Sequence, residues 1–163
     1  MTSLRVREVA GDLLEQPVEA LVNAWNRNLV PRRLLLTGGI SGQLKKATGP
    51  DPWRDLARMG VLQVGDAVVT SAGDMAGPTY LIHVVGLNAF WRASPGGVEA
   101  CARSAVQRAR ELAVASIAIP LIGAGHGGLS PATSRTAILR GLETADGDVD
   151  GDLDVLVCAP AAS

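Results

Sequence analysis

A single layered α/β domain, with helices covering both faces of a largely parallel sheet, is the fold this chain predicts. Three observations predict it. Strand-like and helix-like segments alternate along the 163 residues, the order that builds βαβ units. Several strand segments are nearly continuous apolar runs, as strands covered on both faces must be. The residues are 47% hydrophobic but include only one Phe, one Tyr and three Trp, so the core is expected to be packed from Val, Leu, Ile and Ala. A chain of this length hides roughly two-thirds of its unfolded surface in one core, and residues 1–163 are expected to form one domain.

The elements follow in order. Residues 4–10 alternate Leu4 and Val6 with Arg5 and Arg7, the period of a strand with one wet face. This strand is expected at an edge, as the antiparallel one of the sheet. Residues 18–24, VEALVNA, form an apolar run ending beside an Asn, as expected of a central strand whose far end enters a site. A short helix is expected over 42–48, and strands over 64–72 and 80–86. The second of these, YLIHVVG, is apolar except for His83, which reads as a hydrogen-bonded core histidine and not as a catalyst.

From 97 to 113 the apolar positions Val98, Cys101, Ala102, Ala105, Val106, Ala109 and Leu112 recur at three and four, with Arg103, Gln107 and Arg110 opposite. That spacing predicts an amphipathic helix. Residues 115–122 read as a buried strand running into glycines. Residues 130–142 read as a helix with Ser130 as N-cap and Pro131 at its first position. Residues 153–158, LDVLVC, close the chain as a strand, and no internal repeat is present.

Charge and cysteines narrow the function classes. Fifteen Lys plus Arg against sixteen Asp plus Glu give a formal net charge of −1, so no overall field draws nucleic acid or an anionic membrane to the protein. Nucleic acid is therefore an unlikely partner. Cys101 and Cys158 match no metal-ligand spacing and read as buried thiols. The N-terminus lacks the continuous apolar stretch of a signal peptide, and no segment approaches the ~20 apolar residues of a spanning helix. A cytoplasmic protein without membrane contact is expected. The acidic stretch 146–152 lacks the glutamate that ends a calcium-binding EF-hand loop and reads as a solvated turn.

Ligands of open α/β sheets settle outside the carboxyl ends of the strands, here after Ala24, Gly86 and Ile122. Gly123-Ala-Gly-His-Gly-Gly128 lies between a strand and a helix. Glycines there accept positive φ and let backbone N–H groups approach an anion, and the next helix points its N-terminus inward. Thr37-Gly-Gly-Ile-Ser-Gly42 similarly precedes a helix. Either loop alone is weak evidence; two facing each other clamp a diphosphate.

In combination these segments resemble the macrodomain family. VREVAGDLLEQPVEALVNAWN is similar to its opening, with Asn23-Ala24-Trp25-Asn26 in place of the Asn-Ala-Ala-Asn motif. GGISG is similar to the first phosphate loop, YLIHVVG to the Ile-His-x-Val-Gly strand, and SIAIPLIGAGHGG to the strand carrying the second loop. The resemblance runs from about Val6 to Leu142, and its four motifs come in the family's order.

The resemblance implies a three-layer α/β/α sandwich that binds ADP-ribose. Asp12 would accept a hydrogen bond from the adenine amino group, with the Leu13 backbone nearby, and Asn26 would contact the distal ribose. The backbones of Gly38, Gly39, Ile40, Ser41 and Gly42, and of Gly123, Ala124, Gly125, His126 and Gly127, would hold the diphosphate. Asn88 and Trp91 are candidates for the distal ribose pocket, with a cap on the core as the alternative for Trp91, and Pro160 is a candidate for an aliphatic contact to adenine. An alternative for Asp12, compatible with binding, is the cap of a short helix.

The chain departs from the family at two places. MacroD-type hydrolases carry an Asp where this chain has Ser41, and the segment NLVPRRLLLT lengthens the link before the first loop. Arg32, Arg33 and Leu34 to Leu36 form either a flap or partner surface, or a solvated turn followed by core leucines. Two functions stay open. One is hydrolysis of ADP-ribose from acyl-linked Asp or Glu of modified proteins, or from O-acetyl-ADP-ribose, with Asn26, Ser41 and His126 as the catalytic candidates. The other is recognition of ADP-ribose without chemistry. Neither reading calls for a metal or cofactor; the expected partner is ADP-ribose or an ADP-ribosylated protein.

Overall fold

The computed structural model describes residues 4–25, 39–125, 127–145 and 151–161. Along them follow β1 (Leu4–Ala10), a 3-10 turn (Leu13–Glu15), β2 (Ala20–Trp25), α1 (Gly39–Thr48), α2 (Asp51–Ala57), β3 (Ala67–Ser71) and β4 (Tyr80–Val85). Then come α3 (Pro95–Glu111), β5 (Ser116–Pro120), α4 (Pro131–Ala145) and β6 (Leu153–Ala159).

The strands form one mixed sheet in the order β1-β6-β5-β2-β4-β3. Every neighbouring pair is parallel except β3 with β4. The first strand lies at an edge, as expected, but its direction is not the expected one. Leu4 pairs with Leu153 and Ala10 with Ala159, so β1 runs parallel to β6. The antiparallel edge is β3, which the short connection 72–79 returns directly to β4, as only antiparallel neighbours allow. Alternation in a sequence reports which face is wet and says nothing about strand direction.

Side chains of alternate parity fill two layers. Ala20, Val22, Ile82, Val84, Ile117 and Ile119 pack against α3 and α4. Leu21, Trp25, Leu81, Ala118 and Leu156 face the opposite way, towards Leu13, Leu44, Trp53 and Leu56 from the 3-10 turn, α1 and α2. This second layer is not the purely aliphatic core that the composition suggested. Trp25 and Trp53 lie 5.1 Å apart between ring centroids, and the Lys45 ammonium sits 4.9 and 5.1 Å from the two rings. A cation over indole faces thus seats α1 on β2 and α2.

Several boundaries differ from the apolar pattern for local reasons. β3 begins at Ala67 because Gly65 adopts φ +93° and Gln63 and Asp66 close a turn ahead of it. α3 begins at Pro95, since the Ser94 hydroxyl caps it by accepting from the Gly97 amide. The Ser130 hydroxyl likewise accepts from Thr133 at the start of α4. Helix α2 carries no long apolar repeat and was not anticipated. Gly141 is required where α4 crosses α3, because a Cβ there would collide with the Glu99 carbonyl.

Both cysteines are buried free thiols. Among the described residues no helix is long and apolar enough to cross a membrane. The segment 27–37, expected as a flap, partner surface or turn, and residues 146–150 of the expected solvated turn lie outside the described residues.

Candidate functional site

A cleft of about 690 Å³ opens at the carboxyl ends of the parallel strands. At the β6 end it is lined by Gly11, Asp12, Leu13, Cys158 and Pro160. Past β5 it meets Gly123, Ala124, Gly125 and Gly127, and at the β2 and β4 end it meets Asn23, Ala24, Gly86 and Leu87. Ile40 and Ser41 of α1 face the glycine loop across it, with Gln43 beside them. Three strand spacings separate β6 from β4, about 14 Å, so the cleft suits an elongated ligand.

The glycine loop is held open by its own backbone. Gly123 and Gly128 have φ of +78° and +82°, values that a side chain resists. The Gly123 carbonyl accepts from the Leu129 amide at 3.0 Å, and the Gly127 carbonyl from Ala93 at 3.0 Å. The amides of Gly123 and Gly125 have no acceptor among the described residues. Opposite, GISG forms the first turn of α1 and is not a loop. Amides of a first helical turn lack intrahelical acceptors, so this turn presents free donors of the kind that suit an anion. Gly39 and Gly42 belong to that turn without lining the cleft.

At the β6 end, Asp12 combines the two roles considered for it. One carboxylate oxygen caps the 3-10 turn, accepting from the Leu14 amide at 3.0 Å, while Asp12 also lines the cleft. Asp12 and Cys158 are the titratable groups among the described lining residues. Burial foremost, and then Asp12, pushes the Cys158 thiol up to about 11, so it stays protonated near neutral pH.

At the other end Ser41 donates to Asn23 Oδ1 at 2.9 Å, and Asn23 Nδ2 lies 3.1 Å from His83 Nδ1. His83 Nε2 in turn lies 2.9 Å from Thr70 Oγ1. His83 is fully buried and hydrogen-bonded on both nitrogens, as read from the sequence. Burial pushes its pKa down to about 3, so the ring is neutral.

Of the residues expected in the site, Asp12, Leu13, Ile40, Ser41, Gly123, Ala124, Gly125, Gly127 and Pro160 converge on the cleft. Asn26, Gly38 and His126 lie outside the described residues. Asn88 is not among the lining residues. Its side-chain oxygen accepts from the amides of Phe90 and Arg92 and closes its own loop. Trp91, 45% exposed, does not cap the core. Sequence reasoning missed Asn23 as a lining residue, although an Asn inside an apolar strand must find partners. It also missed Gln43, which the start of α1 brings to the cleft, and Cys158, which lies near the carboxyl end of β6.

Comparison with known proteins matches the Macro domain family model to residues 22–138. A Macro domain-containing protein of Listeria monocytogenes is 35% identical over 130 residues, 75% of this chain and 69% of the relative. The DNA ADP-ribosyl glycohydrolase of Thermus aquaticus is 35% identical over 147 residues, 87% of this chain but 39% of that protein. The solved macrodomain of Thermus aquaticus DarG superposes with a TM-score of 0.74 at 32% identity, covering 96% of this chain and 99% of that one.

Proposed function

Because the chain belongs to the Macro domain family, we propose that its cleft binds ADP-ribose and that the protein hydrolyses ADP-ribose conjugates. The observation that carries this reading is the facing of two amide-rich elements, the first turn of α1 and the Gly123–Gly127 loop, across one elongated cleft. A diphosphate between them meets backbone donors from both sides. Adenine then lies at the β6 end, where the second Asp12 oxygen is left to accept from an exocyclic amine and Pro160 offers an apolar contact. The distal ribose lies at the β2 and β4 end beside Ser41, where Asn26 follows β2 in the chain.

No carboxylate or other strong base is present at that end among the described residues. Chemistry there depends on placing a water and on a labile bond. The substrates that fit are acyl-linked ADP-ribose on Asp or Glu of proteins, and O-acetyl-ADP-ribose. When water attacks the anomeric carbon, the anomeric C–O bond breaks and the carboxylate leaves; when it adds at the acyl carbon, the acyl C–O bond breaks and the ribose oxygen leaves, taking up a proton. Ser41, Asn26 and the loop backbone position that water. His126 is the titratable residue of the loop and the candidate for taking its proton.

Ser41 in place of an Asp favours a second reading, a module that recognises ADP-ribose without turnover. Single-turnover incubation with a glutamate-ADP-ribosylated protein, O-acetyl-ADP-ribose and an ADP-ribosylated oligodeoxynucleotide, beside calorimetry with ADP-ribose, separates the readings. Release from the acyl-linked substrates is expected. Release from the oligonucleotide alone moves the substrate to the class named for the Thermus relative. Tight binding with no release leaves the recognition module.

A further inference from the structure

The hydrogen-bond chain that leaves the cleft at Ser41 ends at an atom that can only accept, and this fixes its direction. Thr70 Oγ1 lies 3.0 Å from the Ser71 carbonyl oxygen and 2.9 Å from His83 Nε2. The single Thr70 hydroxyl proton goes to the carbonyl, which has none to give. Nε2 must then carry the proton of the His83–Thr70 bond. A neutral imidazole has one N–H, so Nδ1 is an acceptor, and Asn23 Nδ2 donates to it across 3.1 Å. The Asn23 amide is thereby turned with Oδ1 towards α1, where it accepts from Ser41 at 2.9 Å. The other acceptor near the Ser41 hydroxyl, the Ala24 carbonyl at 3.4 Å, is the backbone of the same strand, β2.

We infer that Asn23 and His83 are positioning residues that keep the Ser41 proton engaged on Asn23 Oδ1, so that Ser41 meets water or substrate as a hydrogen-bond acceptor. The inference rests on the hydrolase reading of this cleft. Its chemical content is directional. A serine that donates to the attacking water occupies one of the water's two lone pairs and makes the oxygen less nucleophilic. A serine that accepts from the water leaves that lone pair free and takes up one O–H. A neutral residue thus aims the nucleophile without generating a charge. Burial of Asn23 and His83 preserves the arrangement, because turning either group leaves a donor or acceptor unpaired inside the sheet.

The wild-type protein provides the first test. Imidazole nitrogen NMR of the ¹⁵N-labelled chain should find His83 protonated on Nε2 and bare on Nδ1; a proton on Nδ1 overturns the inference. The second test compares His83→Leu with His83→Asn, whose side-chain oxygen can replace Nδ1 as the acceptor. His83→Leu should slow single-turnover release about tenfold while the ADP-ribose Kd moves by less than about twofold. His83→Asn should restore most of the rate. Combined with Ser41→Ala, His83→Leu should change the rate by less than about twofold, because the residue it acts through is gone.

A full loss in the Ser41→Ala background, or a Kd that rises in step with the loss of rate, overturns the positioning role. If His83→Leu does not fold, the wild-type tautomer still decides the direction of the chain. If the wild type releases ADP-ribose from no conjugate, the hydrolase reading fails and so does the catalytic use of the arrangement. The tautomer then still reports whether Ser41 is held as an acceptor.

Discussion

Asn23 stands directly opposite His83 in the parallel pairing of β2 with β4, with 3.1 Å between the amide nitrogen and the imidazole Nδ1. Both side chains point to the face covered by α1 and α2, where Trp53 meets the His83 ring edge-on at 5.3 Å. Each is a polar group buried at a cost that their mutual bond and the outer bonds to Ser41 and Thr70 offset.

Acid stability follows from this burial. The His83 pKa is pushed down to about 3 in the folded protein, against an ordinary 6.5 when unfolded. Between these values the unfolded chain binds the extra proton and the native state does not, so falling pH favours unfolding. This contribution is fully present above about pH 6.5 and is lost progressively towards pH 3, at up to about 1.4 kcal/mol per pH unit. Denaturant titrations from pH 7 to pH 4 should show the decline. In His83→Asn, which cannot titrate there, the decline should be shallower.

At the β6 end, proposed above to take adenine, Asp12 holds a backbone cap and lines the cleft, and two substitutions separate these tasks. Asp12→Asn keeps an oxygen for the Leu14 amide but turns the second acceptor into a donor, so an adenine amine would meet N–H groups. Calorimetry should show ADP-ribose binding weakened by about 1–3 kcal/mol with Tm nearly unchanged. Asp12→Ala should lose affinity similarly and Tm as well, since the cap goes with it. Unchanged affinity in both would move adenine elsewhere.

The glycines of the second loop differ in what a side chain would meet. A Cβ on Gly125 finds nothing within 4 Å, so Gly125→Glu should leave Tm intact. Its carboxylate would occupy the diphosphate position and abolish ADP-ribose binding. A Cβ on Gly127 would lie 2.7 Å from the Gly123 carbonyl oxygen and 2.8 Å from the Ala93 Cβ. Gly127→Ala should therefore lower Tm through the fold itself. Thermal melts beside calorimetry check the pair, and a Gly125→Glu protein that folds and binds normally removes this loop from the phosphate site.

The thiols should be inert. Burial pushes Cys101 up to about 12 and Cys158 up to about 11, and thiolate is the reactive form. Iodoacetamide at pH 8 should label the unfolded chain quickly and the native protein slowly. Cys158, which lines the cleft, should be labelled more slowly still with ADP-ribose bound.

How far the sequence was legible depended on whether a local pattern carried the information. The central strands and α3 show their periods plainly, and the glycines after β5 announce the positive φ that Gly123 and Gly128 adopt. The start of α1 lies at Gly39 and not at Gly42, a difference the sequence hides because Gly39-Ile40-Ser41-Gly42 has the composition of a turn. Tertiary packing of Leu44 and Lys45 on Trp25 and Trp53 outweighs the weak helix propensity of its glycines. The direction of β1 depends on pairing with β6 at the other end of the chain, which no short window contains. Asn23 and His83 are 60 positions apart, and only the register of β2 on β4 makes them one unit.

The chemistry of the distal end follows from what Ser41 can and cannot do. Its hydroxyl is neutral near pH 7 and donates to Asn23, so it orients water but does not strongly activate it. Turnover should then follow the lability of the substrate: acyl-linked ADP-ribose is cleaved, and the stable glycosidic link to arginine is left almost untouched. Asn26, which lies outside the described residues, is assigned to the distal ribose by resemblance. Asn26→Ala should lower the single-turnover rate more than it lowers ADP-ribose affinity, because the ribose loses alignment while adenine and diphosphate contacts survive. Ser41→Ala should be milder, about tenfold, as suits one neutral hydrogen bond of ~1 kcal/mol. Release assays beside calorimetry on wild type and both variants make the comparison. If both variants lose affinity and rate in equal measure, the two residues bind substrate without favouring its reaction. Equal rates on arginine-linked and glutamate-linked substrates would require a base stronger than any described in this cleft.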